Sequence, residues 1–396
     1  MRAGLIVGDL RVQMVVRRDG RRSFSIVDAD GVTVGAAEGF LRSFEGSGTQ
    51  RTYAFFLVDH LRWLAREGLA AESVRLEDLV RYMDAVGAKL PVPGERPWRV
   101  APRRPYGVRA LQVAAACVKG FYLHRCALGV NTALRTGLDA RKLPARADRD
   151  RRMLGHLAQS VPVNPLAVFR PAAPHPKMLP GQARPLLLAA VRTARDRLVV
   201  TWLADGGLRI GELTGLHLVD LHLRADAACG QCAVPHVHVC HRPGNPNRAA
   251  AKTKPDWLVK GGVVTGGMVK RVSPAMVHSY FEYLTSEYPR AGTGHGMLLV
   301  QLAGTGAGQA WTADAARGML RRAGARAGLG PRVRPHMFRH SFATAVLDAT
   351  GGNMLVARQA GGWASARTVE DVYGHPDLHD PVFTAALARV WAGGQE

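Results

Sequence analysis

The chain has 396 residues, 47% of them hydrophobic, and its net charge of +22 asks for a polyanionic partner, because each cation that neutralises a phosphate releases a counterion. Nucleic acid is preferred over a membrane surface: no basic amphipathic helix with an aromatic face stands out, no apolar run reaches the ~18 residues that span a bilayer, and residues 1–8 are too short in their apolar part for a secretory signal. Five cysteines, an odd number, do not make a disulfide framework, so the expected compartment is the reducing cytoplasm, and the length points to two domains.

Residues 10–36 alternate, with Val12, Met14, Val16, Phe24 and Ile26 as the apolar positions and Asp19-Gly20 and Asp30-Gly31 as turns. This predicts a small β element over residues 1–38, serving either as a DNA-binding arm or as a cap. From Thr49 the period becomes helical: Tyr53, Phe56, Leu57, His60, Leu61 and Leu64 recur until Gly68. Further helices are predicted near 76–86, 108–128 and 132–141, giving a helical domain over 39–161 with Cys117 and Cys126 in its core. Six prolines between Pro162 and Pro180 mark a linker, 162–180.

The second domain, 181–396, opens with one helix over 182–204, broken by Asp205-Gly206-Gly207. Arg209 then starts a short helix with Glu212 one turn on; free N–H groups at a helix start, joined by a guanidinium fork, suit a phosphate. Alone, Arg209 reads better as a surface arginine paired with Glu212. Strands follow at 219–223, 234–239 and 269–273, then a basic helix over 315–327. All but eight of the 53 basic residues are arginine, yet four of the eight lysines (Lys252, Lys254, Lys260 and Lys270) fall within residues 252–270. A GC-rich gene explains Arg for Lys in general, and the retained lysines point to a task Arg cannot do, releasing a proton near neutrality. A solvated hairpin tip accounts for any one of them equally well.

The helix around 336–349 carries His336 and Arg339 three residues apart on one face. Trp363 lies 24 residues beyond Arg339, and Tyr373 lies 10 beyond Trp363, in a short polar segment. An arginine and a histidine on one face can hold and polarise a phosphate, and a phenol brought close could attack it.

In this order, Arg209, a lysine on a strand-rich loop, His336-x-x-Arg339, Gly361-Gly362-Trp363 and Tyr373, the chain resembles the tyrosine recombinase (phage integrase) family, most closely over 180–380. The resemblance implies a mostly α fold with a small antiparallel β-sheet in the catalytic domain, arranged as a two-domain DNA clamp of a helical core-binding domain and an integrase-type catalytic domain. It implies that Tyr373 attacks a phosphodiester to form a 3′-phosphotyrosine, that Arg209 and Arg339 clamp the non-bridging oxygens, and that Glu212 braces the site. His336 would assist proton transfer from the phenol, Lys252 (with Lys254 as the alternative) would protonate the departing 5′-oxygen, and Trp363 would donate its indole N–H to the phosphate. Two cations and a histidine are what a phenol of ordinary pKa near 10 needs at neutral pH. The ester energy stays in the protein–DNA bond, so no cofactor is expected, in keeping with the lack of a P-loop. Partners implied are double-stranded DNA and, on paired sites, three further copies of the chain in a tetramer joined by an amphipathic C-terminal helix bearing Phe383, Leu387, Val390 and Trp391. The location implied is the cytoplasm, on the nucleoid. Two departures from the family pattern stand out: Gly361-Gly362 where Leu-Gly is usual, read as a loosened backbone, and a long loop over 255–270.

Three readings compete: a recombinase that integrates or excises a mobile element, a DNA-binding protein that has lost catalysis, and a type IB topoisomerase-like relaxing enzyme. His340 and His375 match no catalytic position; His340 is read as packing or capping, His375 as exposed. Cys229-Gly230-Gln231-Cys232, with His236 and Cys240, has the outline of a zinc site. Against it, His236 and His238 alternate on a strand and face the same way, so the reading taken is no metal.

Overall fold

The computed structural model describes residues 10–16, 18, 22–87, 105–143, 159–167, 177–289, 293–330, 333–363 and 365–373, with 384, 385 and 388 as single positions. The protein is mostly helical with small antiparallel sheets, and it divides into two units, 1–173 and 174–396, at a point inside the proline-rich stretch. No helix among the described residues is long and apolar enough to cross a membrane.

In the first unit a hairpin, β1 (Arg11–Val16) and β2 (Arg22–Val27), precedes α1 (Gly35–Arg42), α2 (Gly48–Arg66), α3 (Leu76–Gly87), α4 (Val108–Ala127) and α5 (Leu134–Leu138). A two-stranded bridge, β3 (Arg141–Lys142) with β4 (Val161–Pro162), follows. The β element is not separate from the helices, because Leu10 and Ile26 lie in one core with Phe40, Leu57, Trp63 and Phe121. A lone hairpin is marginal in water, and burial of Ile26 against α1 and α2 supplies what its own pairing lacks. Ser47 starts α2 by accepting the Gln50 N–H.

The second unit begins with α6 (Ala183–Ala190) and α7 (Ala194–Gly206), where the sequence reads as a single helix. The break is local chemistry: Thr193 adopts an extended conformation and its hydroxyl accepts the Asp196 N–H at 3.1 Å, so a new helix starts there. Next come α8 (Ile210–Thr214), β5 (Leu221–His222) and β6 (His236–Val239). A hairpin of β7 (Trp257–Lys260) and β8 (Val263–Gly266) leads to β9 (Met268–Arg271). The sequence reading took this hairpin for loop, yet it turns on Gly261-Gly262, both with positive φ (58° and 79°), the geometry of a two-residue hairpin turn.

The main sheet runs β5-β6-β9, antiparallel, with Val237 opposite Lys270 and His238 opposite Val269. Strand alternation therefore sends Val237 and Val239 to the unit's core and His236 and His238 to the opposite face. The chain closes with α9 (Pro274–Ser286), α10 (Ala313–Arg326), α11 (Pro335–Ala349), α12 (Met354–Gly361) and α13 (Ala366–Tyr373). The expected amphipathic tail falls almost wholly outside the described residues, as does His375.

Candidate active site

Two cationic side chains converge on the C-terminal end of α7. Its last carbonyls have no partner within the helix and carry the negative end of the helix dipole. The Gly206 carbonyl accepts a hydrogen bond from Lys270 Nζ at 2.6 Å, and the Gly207 carbonyl accepts one from Arg339 Nη1 at 2.7 Å. Gly207 is left-handed, φ 54°, and a Cβ there would fall 2.3 Å from the Phe342 ring, so the turn that presents both carbonyls requires glycine.

Arg209 begins α8 immediately beyond. Its backbone N–H and its Nη1 both donate to the Glu212 carboxylate, at 2.8 and 2.6 Å, and Glu212 is buried. The arginine is thereby held at its base while its outer face stays open. Arg339, 4% exposed, stacks its guanidinium 4.0 Å from the Trp363 ring centroid. Its Nη2 is buried and has no hydrogen-bond partner among the described residues, an unusual state for a charged donor. Burial, and then Arg209, pull the Arg339 pKa down to about 10, with Glu212 and Tyr373 opposing. Burial likewise lowers Lys270 to about 7; Glu212 opposes this and the two arginines add to it.

Tyr373 ends α13. Its hydroxyl lies 2.5 Å from His340 Nδ1, and its ring centroid is 6.1 Å from that of Trp363. Burial pushes the phenol up to about 12 against the pull of Arg339. His340 is held below the ordinary histidine range by burial, then by His336 and Arg339. His336, one turn before it, is surface-facing; partial desolvation and then Arg339, Arg209, Arg317 and Lys252 lower its pKa.

Arg209, Glu212, Arg339, Trp363 and Tyr373 thus form one neighbourhood with His336 at its rim. Lys252 and Lys254 are exposed, and Lys252 lies near enough for its charge to act on His336. Two participants escaped the sequence reading. Lys270 carried a usable signal, two residues from Met268 on a strand with one face inward, and His340 is one helical turn from His336. His340 does not merely pack or cap: it touches the phenol. The Gly361-Gly362 pair is also not a loosened backbone. A Cβ on Gly361 would overlap the Trp363 ring at 1.5 Å, and Gly362, at φ 67°, packs against Met268 and Lys270. Of the four residues outlined for zinc, Cys229 and His236 come together. Cys232 stays half-exposed in the turn, and Cys240, past the end of β6, turns to Arg242.

Chemically, the cluster is an anion site with excess positive charge, a buried unsatisfied guanidinium donor and a phenol within its field. Residues 265–379 match the phage integrase family. The chain is 29% identical over 202 residues to the tyrosine recombinase XerD of Mycobacterium tuberculosis, covering 51% of this chain and 52% of that protein. It is 25% identical over 189 residues to transposase A from transposon Tn554 of Staphylococcus aureus, covering 48% and 46%. It therefore spans about half the length of these curated relatives. Among solved structures, the Tn1549 transposon integrase in complex with transposon right end DNA superposes with a TM-score of 0.55 at 15% identity, over 90% of this chain and 98% of that one. The XerH recombinase bound to its difH substrate gives 0.50 at 14% identity, over 86% and 79%. The match to the phage integrase family lies wholly within the second unit, over residues 265–379.

Proposed function

We propose that the protein is a site-specific DNA recombinase that cuts and rejoins double-stranded DNA through a 3′-phosphotyrosine and so integrates or excises a mobile element. The observation that carries this reading is the position of the Tyr373 hydroxyl within the field of Arg339, whose buried Nη2 lacks a partner among the described residues. A phosphate oxygen supplies that partner, and Arg209, fixed by Glu212, takes a second oxygen. In the step itself Tyr373 Oη forms a bond to phosphorus and the P–O5′ bond breaks. The phenol proton passes to the histidine pair, and Lys252 protonates the 5′-oxygen. The anionic phosphate offsets the cations around the phenol, and their joint field lowers the barrier to charge at Oη. Trp363 donates its indole N–H to the phosphate and walls the site. The assembly that acts is a tetramer on paired sites at the nucleoid, with the segment after 380 joining neighbours.

Nicked duplexes tiled across the DNA on either side of the coding sequence test this, because a short cleaved strand diffuses away and traps the covalent adduct. Wild type should form a protein–DNA adduct and Tyr373→Phe should form none. Adduct formation by the Phe variant, or by neither protein on any duplex, rejects the reading and leaves a DNA-binding protein. Recombination of a two-site plasmid without relaxation of a one-site control separates a recombinase from a topoisomerase.

A further inference from the structure

On the face of β6 away from the unit's core, four side chains turn toward one point: His222 from β5, Cys229 from the segment between the strands, and His236 and His238 from β6. One ligand atom from each lies within 4.8 Å of all the others. His236 Nε2 is 3.2 Å from Cys229 Sγ and 3.1 Å from His238 Nε2. Tetrahedral zinc with Zn–N near 2.0–2.1 Å and Zn–S near 2.3 Å sets its ligands about 3.3–3.6 Å apart, so these two edges need open by only a few tenths of an ångström to take it.

The protons in this cluster cannot be balanced by its own members. His236 Nδ1 lies 2.7 Å from the Val234 carbonyl and His238 Nδ1 lies 2.7 Å from the Gly266 carbonyl. A carbonyl only accepts, so both Nδ1 atoms carry hydrogen and both Nε2 lone pairs point inward. Those two lone pairs face each other at 3.1 Å and cannot bond. The Cys229 thiol can satisfy His236, which still leaves His238. It also leaves His222 Nδ1, which is buried and has no hydrogen-bond partner among the described residues. One divalent cation satisfies all four atoms at once and releases the thiol proton to solvent. Imidazole and thiolate without carboxylate select zinc over magnesium or calcium, and four protein ligands leave no open position for catalysis. The two Nδ1–carbonyl bonds are the outer-shell contacts that fix such ligands.

We propose that His222, Cys229, His236 and His238 hold one structural zinc ion that fastens β5 and the Cys229 turn to β6 and, through the His238–Gly266 bond, to the β7–β8 hairpin. The proposal stands apart from the recombinase reading. Full-length protein, purified without chelator, should contain one equivalent of zinc by elemental mass spectrometry. After exchange into Co²⁺ it should show intense tetrahedral d–d bands and a thiolate-to-cobalt charge-transfer band. Cys229→Ser should lose the charge-transfer band, and His222→Ala should lose bound zinc after dialysis. Cys232→Ser and Cys240→Ser should keep both signals. Wild type that carries no zinc and gives no tetrahedral cobalt spectrum overturns the proposal, whatever the fate of the variants. So does a charge-transfer band that survives in Cys229→Ser and disappears in Cys232→Ser.

Discussion

Lys252 and Lys270 divide between them the properties a proton donor needs. Lys252 is exposed, whereas Lys270 is buried and its pKa is drawn down to about 7. In the proposed reaction the exposed Lys252 meets the leaving oxygen, while Lys270 is tied to the Gly206 carbonyl. Lys252→Ala should slow cleavage by about 10²–10⁴-fold. Replacing the bridging 5′-oxygen with sulfur, which leaves without a proton, should restore the rate for that variant and not for Lys270→Met. If only the Lys270 variant is rescued, the two roles are exchanged. Lys270 also makes stability depend on pH. Its folded pKa lies below the ordinary lysine value of 10.5, so between about 7 and 10.5 the unfolded chain holds the proton that the folded chain has released. Unfolding free energy should therefore rise with pH through that window and flatten in Lys270→Met, as read from urea midpoints. A slope unchanged by the substitution would mean that Lys270 stays charged in the fold.

The elements differ in how far they can be read without the structure. Helices α2, α3, α4 and α11 follow from apolar spacing, because the period is local and each buries one stripe. The order of Arg209, His336, Arg339, Trp363 and Tyr373 was legible for a related reason, since short motifs sit within single elements. What escaped depends on pairing between strands. Lys270 gains its role from lying opposite Val237, and His222 joins His236 only through the β5–β6 register. Alternation along β9 can place Lys270 on the inward face, but which strand each residue lies opposite has no periodic signal in sequence. The α6–α7 break was missed because one hydroxyl, that of Thr193, outweighs a continuous apolar run. The end of α7 is the element most sensitive to change. Gly207→Ala combines a left-handed φ with a clash on Phe342 and should cost roughly 2–5 kcal/mol. Gly351→Ala, equally left-handed at φ 59° but facing open space, should cost only ~1 kcal/mol. Chemical denaturation of the two variants compares them directly, and equal losses would remove the packing part of the argument.

At the scale of the whole molecule the net charge of +22 predicts how DNA is held. If six to ten phosphates are neutralised, affinity should fall by about 10³–10⁵-fold between 50 and 200 mM salt, with a log–log slope near −0.9 per phosphate. Fluorescence anisotropy of a labelled duplex measures this, and a slope near zero would show that the basic surface is not what holds DNA. The anchoring of Lys270 and Arg339 on the main chain has an evolutionary corollary. Both acceptors are peptide oxygens of Gly206 and Gly207, which no codon change can delete, so drift among descendants of this gene can unseat these cations only by bending the backbone or replacing the cations themselves.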